Sequence, residues 1–179
     1  MDSEKTETMP EKTFEEVVAE LGRYPVDAFE FVRDGLQYTV RKIHGDPGEL
    51  ERKVQEWMAQ REISADKLAT LYENGELPEK LGRAVEKLGG PAALNRHVDG
   101  RKLCFGLRDL AIEKWGLMAS TVLANWNIRR TDDFGAIVFA LVNNDFLQKQ
   151  PDDSVDDFKD VFDFSTTFDH GYEIELADS

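Results

Sequence analysis

Residues 150–163, QPDDSVDDFKDVFD, place acidic and hydroxyl side chains at intervals that suit a calcium loop. An EF-hand loop takes side-chain ligands from positions 1, 3, 5, 9 and 12, because these oxygens converge on one Ca²⁺ ion. With Asp152 as position 1, the pattern departs from that loop at position 6, where Asp157 replaces the turn glycine. It departs again at position 8, where Lys159 replaces an apolar residue. The sequence therefore leaves two alternatives, a specific calcium site or weak condensation of cations on an acidic loop. The candidate ligands are Asp152, Ser154, Asp156, Asp160 and Asp163, the last shorter than the usual bidentate Glu.

The same region interleaves its carboxylates with aromatic rings, which gives it a second possible role. Acidic segments studded with rings dock on proteins through the rings while the charge keeps them soluble. The alternative is that the rings complete the chain's own core, which we expect of Val161, Phe162 and Phe164. For the outer positions we predict contact with a protein partner. These residues are Phe158, Phe168, Asp156, Asp157, Asp160 and Tyr172.

Residue types suited to catalysis are sparse and scattered along the chain. The three histidines, His44, His97 and His170, lie far apart in predicted loops or helix ends, and no phosphate-loop, nucleophile-elbow or zinc-protease motif is present. The single cysteine, Cys104, excludes an internal disulfide, and its apolar surroundings predict a buried, unreactive thiol. An enzyme remains an alternative only through residues brought together from distant parts of the chain.

Charge sets the class of partner. The net charge is −14, and it divides into −7 for residues 1–100, +2 for residues 101–150 and −9 for residues 151–179. Such a surface repels phosphate backbones and anionic lipid, so we predict neither nucleic acid nor membrane as partner. A protein partner fits, and a basic protein fits best. With no apolar run of membrane-spanning length and no signal-like N-terminus, we predict a cytoplasmic protein with no bound cofactor unless calcium occupies the acidic loop.

Local signals in the first half predict a disordered leader, two helices and an insertion. Residues 1–12 are polar and acidic, and Thr13 with Glu16 has the spacing of a capping box at a helix start. A long apolar stripe over residues 28–43 predicts an amphipathic helix, so residues 13–45 form the N-terminal helices. Residues 46–96 read as short, charged helices with weak stripes, one capped by Ser64, and therefore as a helical insertion.

The second half predicts a winged-helix-like unit over residues 97–179. Helices capped by Asp99 and Thr131 enclose a shorter one, and FKDVFDF and YEIEL then have the composition of a small β-hairpin. The fold class we predict is therefore mainly α with a small β-hairpin. The would-be DNA-reading helix, residues 132–147, has no Lys or Arg, and the preceding Arg129 and Arg130 are better explained as partners of nearby aspartates.

Two stretches resemble an uncharacterised family of planctomycete and verrucomicrobial bacteria. They are YPVDAFEFVRDGLQYTV, and the segment from GRKLCFGLRDLAIEKWG through DDFKDVFDF. The resemblance covers residues 23–44 and 97–168, and it implies no activity or catalytic residue. From the helix without cations and the negative charge after residue 150, we predict a non-enzymatic protein-interaction module, an adaptor or regulatory protein that binds through its acidic, Phe-rich C-terminal wing and tail. A calcium sensor and an unidentified enzyme are the alternatives.

Overall fold

The computed structural model describes residues 12–169, and these residues are mainly helical, with no strand among them. The α-helices are α1 (Phe14–Leu21), α2 (Val26–His44), α3 (Glu49–Gln60), α4 (Ala65–Glu73), α5 (Glu79–Lys87), α6 (Gly100–Trp115), α7 (Ala119–Asn125), α8 (Thr131–Asn143) and α9 (Phe164–Asp169). Short 3₁₀ turns occupy Pro91–Leu94, Gly116–Met118 and Val155–Phe158. The mainly α prediction is confirmed.

The first strand of the predicted hairpin does not form, so the prediction of a wing is wrong as well. Residues 155–158 form a 3₁₀ turn, and α9 begins at Phe164. Ser154 and Asp157 cap each other's backbone N–H groups at the turn, and the Asp163 carboxylate accepts from the N–H of Ser165 and Thr166. Side-chain acceptors of this kind satisfy the backbone locally and so compete with strand pairing. The second predicted strand, YEIEL, lies outside the described residues, as does nearly all of the predicted leader.

Helix starts follow the local sequence signals in three of four places. The Thr13 hydroxyl accepts from the Glu16 N–H and the Glu16 carboxylate accepts from the Thr13 N–H, which confirms the capping box. Ser64 and Asp99 cap α4 and α6 as predicted. Thr131 is not the cap of α8 but its first residue.

The chain divides into two compact units, residues 1–39 with 98–179, and residues 40–97. The second unit has its own core of Val54, Leu68, Ala84, Val85 and Leu94, with Trp57 packed against it. The predicted insertion, residues 46–96, falls inside this unit. Residues 40–97 carry 10 basic and 10 acidic side chains, so the net charge of −14 belongs to the first unit.

Within the first unit, α2 and α6 approach closely because glycine takes the place of a side chain on each helix. A Cβ at Gly106 would overlap the Thr39 hydroxyl, and one at Gly35 would overlap the Leu107 side chain. Thr39 and Leu107 are both buried. At one end of α6, Trp115 lies 5.2 Å from the buried Phe31 and 5.4 Å from Trp126 between ring centroids, so the three rings form one cluster.

A buried carboxylate joins the start of α8 to the segment before α2. Asp133, 5% exposed, accepts from the backbone N–H of Arg129 at 2.8 Å and of Arg130 at 3.0 Å. Its other oxygen accepts from the Tyr24 hydroxyl at 2.5 Å and lies 3.3 Å from the Arg23 guanidinium. Burial, and then the hydrogen bond to Asp133, raise the pKa of Tyr24 far above its usual value. Asp133 therefore fixes the turn that carries Arg129 and Arg130.

Replacing Tyr24 by Phe removes a donor from this buried carboxylate, so we expect the free energy of unfolding to fall by about 1–3 kcal/mol. The matched control is Tyr72→Phe, which removes a hydroxyl for which the described residues supply no hydrogen-bond partner. Urea unfolding followed by circular dichroism measures both variants. A loss in Tyr24→Phe no larger than in Tyr72→Phe would contradict the role given to Asp133.

The contact between Tyr24 and Asp133 should also make the free energy of unfolding depend on pH in the alkaline range. The pKa of Tyr24 is raised in the folded protein, so the folded state keeps a proton that the unfolded state releases above about pH 10. The contribution is therefore complete below that pH and is lost as the pH rises further. We expect the unfolding free energy to fall less between roughly pH 9 and 11 in Tyr24→Phe than in the parent protein. Equal slopes in the two proteins would contradict this.

Candidate functional site

Phe158, predicted to dock on a partner, is instead inserted into the protein's own core. It is 3% exposed and lies against α6 and α8, where two glycines make room for its ring and Cβ. A Cβ at Gly100 would come 2.6 Å from the ring, and one at Gly135 would come 2.8 Å from the Phe158 Cβ. The docking role for Phe158 is therefore wrong in this conformation.

Phe168 is also buried, at 2% exposed, so its predicted contact with a partner is wrong for the same reason. Its ring centroid lies 5.1 Å from that of Phe164 and 6.2 Å from that of Phe162. Phe164 in turn contacts Phe134 of α8. Aromatic rings at these separations attract one another beyond the area that they bury. The expectation that Phe162 and Phe164 pack on the chain itself agrees with this cluster, whereas Tyr172 lies outside the described residues.

The backbone of the acidic strap, which we define as residues 150–163, is fastened to the start of α8. The Thr131 hydroxyl accepts from the Val161 N–H at 3.1 Å, and Asp132 accepts from the Asp160 N–H at 3.3 Å. The Arg130 guanidinium pairs with Asp132 at 2.7 Å and with Asp160 at 3.2 Å. The predicted pairing of the two arginines with nearby aspartates is thus confirmed for Arg130.

The five predicted calcium ligands do not converge. Ser154 accepts from the Asp156 N–H, Asp160 pairs with Arg130, and Asp163 caps α9. The Asp152 and Asp156 side chains are exposed. Across residues 12–169, no group of three or more His, Cys, Asp or Glu side chains is placed to hold a metal ion. The EF-hand spacing in the sequence therefore does not become EF-hand geometry.

The structure contains a groove that we did not predict from the sequence. It lies between α7 and the start of α9, and we call it the α7–α9 groove. It consists of two adjoining cavities of about 500 and 290 Å³. Arg129, Asp163 and Phe164 line both cavities. The larger cavity continues along α7 past Asn125 to Thr121. The smaller one is completed by Arg130, Thr131, Asp160 and Phe162.

The turn that follows α7 places Arg129 beside this groove. α7 ends at Asn125, and Asn127 adopts a left-handed conformation with φ 61°, which asparagine tolerates better than most residues. The Asn127 amide donates to the Arg23 carbonyl, and the fully buried Ile128 anchors the turn. Asp133 then holds the Arg129 N–H. The exposed guanidinium is left beside the cavity, with no carboxylate within ion-pair distance among the residues described.

The opposite wall holds a carboxylate in its ionised form. The Ser165 hydroxyl and the backbone N–H groups at the start of α9 lower the pKa of Asp163. Asn125 and Thr121 add an amide and a hydroxyl, each of which can donate and accept hydrogen bonds. The half-buried ring of Phe164, which lines both cavities, supplies apolar surface. The groove can therefore accommodate a ligand with mixed polar, apolar and charged groups.

Arg129, Arg130 and Asp163 were considered from the sequence in other roles, whereas Thr121 and Asn125 of α7 were not. Thr121 and Asn125 are four residues apart on α7, so their shared face follows from helical spacing alone. Their meeting with Asp163 could not be foreseen, because the strap was expected to be a hairpin. Cys104, by contrast, is fully buried as predicted, and burial raises the pKa of its thiol to about 12.

Of the histidines considered for catalysis, His44 and His97 belong to the second unit, and His170 lies outside the described residues. In the second unit, His44 Nε2 is 3.1 Å from the His97 carbonyl oxygen. Comparison of the chain with known protein families, with curated proteins and with solved structures finds no match. The resemblance to a planctomycete and verrucomicrobial family stays a prediction. Of the helices in residues 12–169, none is both long and apolar enough to cross a membrane.

Phe158→Ala separates the core role of the strap from a surface role. Removing a buried Phe side chain typically costs about 3–5 kcal/mol, because a cavity remains. Val155→Ala in the same strap is the control, since Val155 is 52% exposed and its loss should cost within about 0.5 kcal/mol. Urea unfolding gives both values. Similar small losses in the two variants would mean that the ring is not part of the core.

Proposed function

We propose that this chain is a non-enzymatic protein-interaction module that binds a polypeptide segment in the α7–α9 groove. The observation that carries the proposal is the groove's lining. Arg129 and Asp163 present opposite charges that are not paired with each other, and the Phe164 ring and a helix face bearing Thr121 and Asn125 line the same cavity. Polypeptides carry amide, charged and apolar groups in close succession, and they therefore match such a surface.

The charges of the groove support binding rather than proton-transfer chemistry. The Arg129 guanidinium is permanently protonated, and the lowered pKa of Asp163 keeps its carboxylate ionised at neutral pH. A general acid or base works best when its pKa lies near the operating pH, so that it can both give and take a proton. Fixed charges of opposite sign instead select the orientation of a bound segment.

The overall charge supports a basic partner. The first unit, to which the groove belongs, carries the whole net charge of −14. Exposed carboxylates such as Asp152 and Asp156 contribute to a negative field that attracts cationic proteins and raises their association rate. In this proposal the acidic strap steers the partner while the groove makes the specific contacts. Because steering is screened by salt, it affects the association rate more than the lifetime of the complex.

The test uses two double variants of the full chain in pull-down experiments from cell lysate. Asn125→Ala with Arg129→Gln removes an amide and a cation from the groove. Gln148→Ala with Lys159→Gln removes the same groups from exposed positions outside it. We expect partners captured by the parent protein to be kept by the second double variant and lost from the first. Retention of every partner by the first double variant, folded by circular dichroism, would contradict the proposal.

A further inference from the structure

An exposed apolar pair lies in line with the groove. Leu117 and Met118, 62% and 57% exposed, are the most exposed large apolar side chains among the described residues. They end the 3₁₀ turn that leads directly into α7, and Met118 and Ala119 both have right-handed helical backbone. Leu117 precedes Thr121 by four residues and Met118 precedes it by three, spacings that place side chains on one helical face.

This face continues along α7, where Thr121, Ala124 and Asn125 line the larger cavity at the same three- and four-residue spacing. Beyond the end of α7, the turn through Asn127 brings Ile128 and Arg129 to the same cavity. Ala119 and Leu123, by contrast, are fully buried and mark the opposite face of α7. A single track therefore runs along α7 from the exposed Leu117 and Met118 to the Arg129 guanidinium, which has no carboxylate within ion-pair distance among the described residues.

We propose that this track binds an extended segment with an apolar side chain against Leu117 and Met118 and an Asp or Glu side chain against Arg129. This inference rests on the proposed function and specifies its ligand. Leu117 precedes Asn125, the last residue of α7, by eight residues, about 12 Å at the rise of an α-helix, and Arg129 follows the turn after α7. An extended chain covers that distance in about four residues. We therefore place the two ligand side chains about five positions apart, so that the second can reach Arg129.

Two contacts define the acidic position further. Arginine binds carboxylate through a planar fork of N–H donors, and the Arg129 guanidinium is exposed. The smaller cavity continues beyond Arg129 to Phe162 and Thr131, so the ligand chain can run past this point. The carboxylate therefore belongs to a side chain within the segment and not to a chain end. Asp163 faces the same space and would repel a second acidic residue, so the remaining side chains are neutral or basic.

The probes are two synthetic peptides of opposite direction, acetyl-Leu-Ser-Ala-Ser-Ala-Glu-Ser-amide and acetyl-Ser-Glu-Ala-Ser-Ala-Ser-Leu-amide. Each is titrated into the full chain up to millimolar concentration, with binding followed by the amide signals of the ¹⁵N-labelled protein. We expect one direction to bind. Changing its Glu to Gln, or its Leu to Ala, should weaken binding about five- to tenfold, because each change removes one anchoring contact.

Protein variants assign each preference to a residue. Arg129→Gln should abolish the preference for Glu over Gln, and Leu117→Ser should abolish the preference for Leu over Ala, as in a double-mutant cycle. Lys159→Gln and Val155→Ser make the same chemical changes at exposed positions in the strap, and both preferences should survive in them.

The outcomes distinguish this inference from the function on which it rests. Binding with both preferences, each removed by its own groove variant, supports the inference. Binding without either preference contradicts the inference. Preferences that survive Arg129→Gln and Leu117→Ser contradict it too, and neither result contradicts the proposed function. Failure of both peptides to bind also overturns the inference; if the groove variants then still capture every protein partner, the proposed function fails as well.

Discussion

The buried carboxylate of Asp133 is the contact on which the geometry of the first unit depends. A charged group removed from water is costly unless hydrogen bonds replace those it loses, and Asp133 has three, together with an ion pair. Two of its donors are the backbone N–H groups of Arg129 and Arg130, and another is the Tyr24 hydroxyl, 109 residues away in sequence. One side chain thus fixes the start of α8, the segment before α2 and the turn that presents Arg129 to the groove.

The acidic strap divides its residues between the interior and the solvent. Phe158 points inward, into space that the glycines at positions 100 and 135 leave, and Phe168 of the adjoining α9 is also buried. Asp152 and Asp156 point outward and contribute charge. The rings therefore attach the strap to the protein itself, while its carboxylates remain available to a basic partner. This division explains how a strongly acidic segment can hold the start of α9 against α7, where it forms one wall of the groove.

Local signals in the sequence predicted what depends on local interactions. The capping box at Thr13, the cap at Asp99 and the burial of Cys104 were all readable from neighbouring residues. The hairpin was not, because the side-chain caps supplied by Ser154 and Asp163 outweighed the strand-forming composition of FKDVFDF. The groove was hidden for a different reason: Asn125 and Asp163 are remote in sequence, and only the fastening of the strap to α8 brings them to one cavity.

The most direct measurement is the map of amide chemical-shift changes in the ¹⁵N-labelled full chain when a captured polypeptide partner is added. We expect the largest changes at Thr121, Asn125, Arg129 and Ser165, with smaller changes across residues 152–157. Changes confined to the strap, with the signals of α7 and Arg129 unmoved, would place the binding surface elsewhere and contradict the account.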